Sequence, residues 1–284
     1  MIHEAGLYPY IKFYEALLNP DGSINSKWIV PVQDATHQLM VTSGKYLAND
    51  WMDSIRMKIL NSPVTTPGKY VYSDNDFIFL GNIVEQVTGM NLQEYCTKTF
   101  YGPMQMRSTG FLPLERADKS NIAASELDNY FRKELIQGSV HDEGASTMGG
   151  IAGHAGLFSN ATDIAKLYMM LLNGGQWDGQ NYLKPSTINL FTSYQSPTSR
   201  RGLGFDKTAR DNASSKDPYP SLSAPPSVFG HTGFTGTCVW ADPDNQLLYV
   251  FLSNRVYPTR DNKAFSTLNL RAKIQEQIYQ AIKK

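Results

Sequence analysis

The chain has 284 residues, 41% of them hydrophobic and 18% charged, which is ordinary for a soluble globular protein with a real core. Lys plus Arg equals Asp plus Glu at 26 each, so nothing points to nucleic acid or to an anionic membrane as partner. No apolar run reaches the ~18 residues of a membrane span, and the two cysteines, Cys96 and Cys238, are too few for a disulfide framework; two separate buried thiols are expected.

Met1 to Gly6 has neither a basic region nor an apolar core, so no signal peptide is read there. An aromatic-rich segment, 7–18, leads to the turn Asn19-Pro20-Asp21-Gly22. Residues 46–60 predict a helix, with Trp51, Ile55 and Ile59 at helical spacing. Pro63 and Pro67-Gly68 then break the chain before Tyr72. A second helix is expected from Asp76 to Val87, burying Phe77, Leu80, Ile83, Val84 and Val87 and stopped by Gly89. A short helix at 91–100 follows.

Residues 103–150 read as loop-rich, a length that in a compact domain is usually functional or packed on itself. The run Gly149 to Gly156 is rich in small residues and leads to a helix with Asn160 as N-cap, Asp163 in its first turn and Ile164, Leu167, Leu171 and Leu172 on its core face. Another short helix opens at Lys184-Pro185. Residues 206–226 read as an exposed loop. Three strands are expected at 228–231, 235–241 and 246–253, the last two joined by the turn Asp242-Pro243-Asp244-Asn245. Residues 262–283 predict an amphipathic helix carrying Phe265, Leu268, Ile274, Ile278 and Ile282.

Two tripeptides stand at the heads of these elements. Tyr72-Ser73-Asp74 precedes the second helix and His231-Thr232-Gly233 opens the strand region. With the glycine-rich stretch around His154 and the opening His3-Glu4-Ala5-Gly6-Leu7, they make four short matches in order. Together they resemble the serine beta-lactamase and penicillin-binding-protein superfamily, closest to its class C-like esterase branch, members of which occur joined to bacterial beta-N-acetylhexosaminidases. Tyr72-Ser73-Asp74 resembles the Tyr-x-Asn motif and His231-Thr232-Gly233 the Lys-Thr-Gly strand.

The resemblance implies an α+β, beta-lactamase/transpeptidase-like fold: an antiparallel sheet of about three strands flanked by helices, plus a helical subdomain. It implies one domain over 1–284, mainly helical over 1–200, with the sheet and C-terminal helix in 201–284. It implies acyl-enzyme hydrolysis of an ester, amide or peptide of the cell envelope, without cofactor. Tyr72 would relay a proton and Asp74 would face a lysine ionically. His231 would favour a substrate carboxylate less than a lysine would. Thr232, Gly233, Thr237 and His154 would line the substrate cleft, the Thr237 N–H helping to form the oxyanion hole.

One motif is missing. No serine has a lysine three positions on; the nearest approach is Thr42-Ser43-Gly44-Lys45. The expectation is a chain that lacks the family's first strands and nucleophile helix and is inactive alone, or a non-catalytic binding or scaffold module that keeps the cleft. Strand 246–253 is apolar on both faces, and its outer edge is expected to meet a second copy or a missing N-terminal segment. A periplasmic or cell-envelope location would follow if the parent protein carries an upstream signal.

Plainer readings stand beside these. A tyrosine in a turn before a helix is usually a packing residue, and His231 could be an ordinary strand-start histidine. His154 either lines the cleft or hydrogen-bonds locally. His141-Asp142 has no third ligand at metal spacing, so a structural role is favoured and no metal site is expected.

Overall fold

The computed structural model describes residues 1–282. Its first part holds β1 (Ile29–Val30), β2 (Leu39–Thr42) and β3 (Lys45–Leu47), followed by helices α1 (Trp51–Leu60), α2 (Asp74–Thr88) and α3 (Leu92–Cys96). A middle region carries the ribbon β4 (Glu126–Leu127) and β5 (Leu135–Ile136), then α4 (Glu143–Ser146) and α5 (Ala161–Leu172). The hairpin β6 (Gln176–Trp177) and β7 (Gln180–Asn181) leads to α6 (Pro185–Thr192). The main sheet is β8 (Asp206–Lys207), β9 (Phe229–Thr232), β10 (Cys238–Asp242) and β11 (Leu247–Phe251), closed by α7 (Ala264–Thr267) and α8 (Leu270–Ile282). The expected helix reached residue 283, which lies outside the described residues.

The main sheet is antiparallel with order β11-β10-β9-β8. Alternation along the strands divides its side chains between two layers. Phe229, Ala241, Val239 and Leu248 pack toward Tyr168, Met170 and Leu171 of α5. Cys238, Trp240 and Tyr249 pack on the other face against Tyr279 of α8, whose hydroxyl donates to Asp242 Oδ2 at 2.7 Å. The antiparallel sheet between helices is the expected α+β, beta-lactamase/transpeptidase-like architecture. The outer edge of β11 pairs with no strand among the described residues.

A separate core gathers Phe13, Leu17, Leu47, Trp51, Ile55, Ile59 and Ile78. Trp51, Ile55 and Ile59 are buried on one face of α1, as their spacing requires. The small sheet β1-β3-β2 beside them is not among the expected elements, and its strand β3 takes Tyr46 and Leu47 out of the helix expected over 46–60, which begins only at Trp51. Its strands are two to four residues long, too short for alternation to register.

Three further expectations change. Residues 206–226 are not simply an exposed loop. Asp206 and Lys207 form the fourth sheet strand, and Thr208, Asn212, Ser221 and Ala224 are buried. Asn212 and Thr208 can sit there because their side chains are paired: Asn212 Nδ2 donates to Ser221 O at 2.8 Å, and Thr208 Oγ1 to Pro225 O at 2.7 Å.

Helix α2 buries Asn75, Asp76, Ile78 and Gly81, while Ile83 and Val87 are 51% and 81% exposed. The inward face is chosen by close approach rather than by apolar content. A Cβ on Gly153 would lie 2.0 Å from Phe77 O of α2, so only glycine allows this contact. In α8, similarly, Gln275 and Tyr279 are buried and Ile274 and Ile282 are outside. Both cysteines are free thiols, Cys238 buried and Cys96 partly so. No helix among the described residues is long and apolar enough to cross a membrane.

Candidate active site

Tyr72 is placed by its neighbours on both sides. Ser73 N–H donates to His3 Nδ1 at 3.0 Å and Ser73 Oγ to Tyr8 O at 2.9 Å, pinning the residue that follows. The His3 ring, itself fully buried, lies 4.2 Å from the Tyr72 ring. On the other side the His231 ring is 6.5 Å away, centroid to centroid. The approach to α2 and the C-terminal end of β9 therefore meet. Arg201 stands beside both, its guanidinium carbon 5.9 Å from the Tyr72 ring and its Nη1 3.1 Å from His231 Nε2. Burial, and then the Asp74 carboxylate, push the Tyr72 hydroxyl above the ordinary tyrosine range, with Arg201 pulling the other way. Burial first, then Arg201, lowers His231.

Asp74 opens α2, where its backbone N–H donates to Pro9 O at 3.1 Å. Burial raises its carboxyl above the usual range, and His154 opposes that rise. His154 is almost fully buried, and its Nε2 lies 3.0 Å from Asp142 Oδ1. The same Asp142 oxygen caps α4 by accepting from Ala145 N at 2.7 Å. Burial disfavours the imidazolium, yet the Asp142 hydrogen bond and charge, with Asp74 behind them, hold His154 above an ordinary histidine. Burial likewise works against the Asp142 anion, and His154 outweighs it. His154 is thus engaged locally and also lies electrostatically next to Asp74.

The His231-Thr232-Gly233 segment turns tightly. Gly233 N–H donates to Thr237 O at 2.8 Å, and a Cβ on Gly233 would meet Thr237 Oγ1 at 2.3 Å. The Thr237 carbonyl also accepts from Arg271 Nη1 at 2.9 Å, tying the loop to α8. The Thr232 carbonyl is the partner of His231 Nδ1 at 2.8 Å. Phe234, at the tip, is 59% exposed; the His141 ring is stacked against it at 5.6 Å and Arg255 lies 4.6 Å over it.

Behind Phe234 is a charged knot that short motifs could not reveal. Arg260 donates to Glu126 Oε2 at 2.6 Å and to Glu143 Oε1 at 2.7 Å. His141 Nε2 lies 2.8 Å from Glu126, and the Tyr130 hydroxyl bonds Glu143. His141-Asp142-Glu143 therefore bridges the two sides. Asp142 faces His154, while His141 and Glu143 face Arg260. No cluster of His, Cys, Asp and Glu suited to a metal occurs among the described residues.

With this geometry in place the comparisons decide the family. A family model described as beta-lactamase matches residues 3–272. The chain belongs to the beta-lactamase family. It is 40% identical over 202 residues to the Escherichia coli K12 protein named "Putative D-alanyl-D-alanine carboxypeptidase", a match covering 66% of this chain and 46% of that protein. A Salmonella enteritidis protein of the same name is 39% identical over the same length. The chain thus spans about half the length of these relatives.

Among solved structures, the octameric penicillin-binding protein homologue from Pyrococcus abyssi aligns with TM-score 0.57 at 19% identity, covering 95% of this chain and 54% of that one. A penicillin-binding protein homologue from Caulobacter crescentus aligns at 0.55 and 17% identity, covering 89% and 63%. At such identities these two establish shared fold alone.

Proposed function

We propose that this beta-lactamase-family chain forms the Tyr-x-Asp and His-Thr-Gly sides of a serine acyl-transfer cleft for an ester, amide or peptide of the cell envelope. The observation that carries this reading is the 6.5 Å approach of the Tyr72 and His231 rings from two distant elements. Tyr72 would pass a proton between the attacking hydroxyl and the leaving group. Thr237 N–H would polarise the carbonyl, and Gly233 would let the substrate lie along the strand edge. Thr232 and His154 would border the same cleft, and Asp74 would face the cation of the nucleophile pair. The name of the E. coli relative favours a D-alanyl-D-alanine peptide as substrate. The class C-like esterase branch, of the kind joined to beta-N-acetylhexosaminidases, is the branch we favour, with a periplasmic or cell-envelope setting.

The chain contains no Ser-x-x-Lys, and burial raises the Tyr72 hydroxyl above the ordinary tyrosine range. We therefore propose that these 284 residues bind but do not acylate. A binding or scaffold module is the second reading, and the same absence favours it. An NMR titration with an N-acylated D-alanyl-D-alanine peptide tests both. The expected result is shifts at the Tyr72, Gly233 and Thr237 amides without release of D-alanine. D-alanine release, or a penicillin adduct on any serine by mass spectrometry, would overturn the inactive state. Absent shifts at those amides would overturn the cleft.

We further propose that the β11 edge recruits a strand from a second copy. An unpaired edge flanked by half-buried apolar residues is a template for pairing. Light scattering should show mass rising with concentration while the outward amides of 247–251 become protected. A monomer with rapidly exchanging amides there would sink this idea.

A further inference from the structure

His231 has both ring nitrogens engaged. Nε2 lies 3.1 Å from Arg201 Nη1, and Nδ1 lies 2.8 Å from the Thr232 carbonyl oxygen. A guanidinium can only donate and a carbonyl can only accept. Nε2 is therefore the acceptor, and Nδ1 carries the proton. Both partners are fixed, one by the buried 201 side chain and the other by the strand's own backbone.

Arg201 is 1% exposed, and its Nε and Nη2 have no protein acceptor. Its nearest carboxylate, Asp206 Oδ1, is 3.5 Å away. That carboxylate is held more closely by others: Arg200 Nε at 2.8 Å, Arg200 Nη2 at 3.2 Å and the Tyr219 hydroxyl at 2.7 Å. Two guanidiniums share one carboxylate, so one positive charge is left over. It sits on the group that touches His231 and flanks Tyr72. Fold packing alone would not ask for such a charge, since a buried guanidinium with two idle nitrogens is costly.

We propose that Arg201 is the positioning residue of this cleft: it locks His231 as the neutral Nδ1–H tautomer and supplies, from behind Tyr72 and His231, the positive charge that a lysine at position 231 would have carried. His231 is then neither an acid nor a base. Its Nε2 lone pair is spent on Arg201, and its proton is spent on its own strand. The charged and titratable groups facing the ring are Arg201 and Asp206 from the 200–206 segment, His3 from the first turn and Tyr72 from the approach to α2. Of these, Arg201 alone makes a hydrogen bond to it.

The consequence for the cleft rests on the acyl-transfer reading, but the tautomer does not, because it is measured without substrate. Labelling the full chain with ¹⁵N-histidine and recording long-range ¹H–¹⁵N spectra reports which nitrogen bears the proton, and loss of signals in His231→Asn assigns the ring. The expected parent spectrum shows Nδ1 protonated and Nε2 bare, by on the order of tenfold or more, since the other tautomer breaks a hydrogen bond to a charged donor. The ring should also titrate below an ordinary histidine.

In Arg201→Gln the preference should fall toward a mixture and the titration should rise. Arg201→Lys, which keeps the charge, should keep the titration low. A residue that merely props the fold would change the melting temperature and leave these signals alone. A parent His231 protonated at Nε2, or an Arg201→Gln spectrum identical to the parent, would overturn the proposal. Should Arg201→Gln fail to fold, a parent ring protonated at Nε2 still overturns the proposal, and Arg201→Met supplies the comparison that assigns the lock to Arg201. Failure here leaves the peptide titration at Tyr72, Gly233 and Thr237 unaffected, so the two readings fail separately.

Discussion

The two ends of the cleft handle charge in opposite ways. At the β9 end a neutral imidazole faces Tyr72, and the charge is carried one layer back, on Arg201. At the α2 end the charge is favoured on the ring itself: Asp142 beside His154, with Asp74 electrostatically near, holds the imidazole above an ordinary histidine. Both histidines are mostly buried, so burial cannot account for the difference. The partner decides: a guanidinium forces a ring to accept, and a carboxylate invites it to stay protonated. Histidine in a cleft is therefore legible only through the group behind it.

The ends also differ in how tightly the backbone is committed, and this gives the largest expected effect. Gly153, next to His154, packs against the backbone of α2, where an added Cβ would fall 2.0 Å from Phe77 O. Backbone cannot step aside, so Gly153→Ala should lower stability by about 3 kcal/mol or more in urea unfolding. Gly233 at the other end is crowded by a side chain, Thr237 Oγ1 at 2.3 Å. Gly233→Ala should cost only about 1–2 kcal/mol, and adding Thr237→Ala should restore most of it. Equal losses at both glycines, or no rescue by the second change, would remove this distinction.

Between these two falls Asp142→Ala. It removes the cap of α4 and the charged partner of His154, together about 2–3 kcal/mol. The pH dependence has a definite sign. His154 is raised in the folded chain, so its contribution is full below the ordinary histidine range and fades as pH climbs through the raised value. Asp142 is lowered, so its contribution is full above the ordinary carboxylate range and fades as pH falls through the lowered value. The difference in stability between parent and Asp142→Ala should thus be largest in mildly acid solution and shrink on either side. A difference that grows steadily with pH up to strongly alkaline solution would contradict the pairing.

Much of this frame is readable from the sequence, and the reasons for the gaps are specific. Trp51, Ile55 and Ile59 announce α1 because four-residue spacing has one structural meaning. Asp242 to Asn245 announces the β10–β11 turn for a like reason, and Asp242 Oδ1 accepts from Asp244 N at 3.0 Å there. For α2 the element is legible but its inward face is not. Five apolar residues suggest one face, yet Ile83 and Val87 point out because Gly81 and Gly153 let the backbones touch on another. Tyr72, Asp74 and the His231 tripeptide stand out because each is a short run in the right order. Arg201 is one arginine thirty positions before His231, in no motif, and only the folded chain brings it there. Asp206 and Lys207 are invisible as a strand because two residues carry no period.

The smallest expected change sharpens the comparison most. Asp74 is a carboxylate raised by burial at the end where Asp142 already supplies a negative charge. Asp74→Asn keeps the shape and removes the second anion. Its carboxylate is among the causes that hold His154 up, so the His154 titration should move down in the variant, read by the same ¹⁵N spectra. Stability near neutral pH should change by less than about 1 kcal/mol, because one favourable charge contact is exchanged for relief of a buried carboxylate. Asp142 would then hold His154 alone, through the 3.0 Å hydrogen bond. At the β9 end nothing should move, since His231 takes its state from Arg201. A His154 titration that stays put would mean that Asp142 sets it unaided. A shift at His231 of similar size would mean the two ends are not independent, and the division between a neutral end and a charged end would have to be given up.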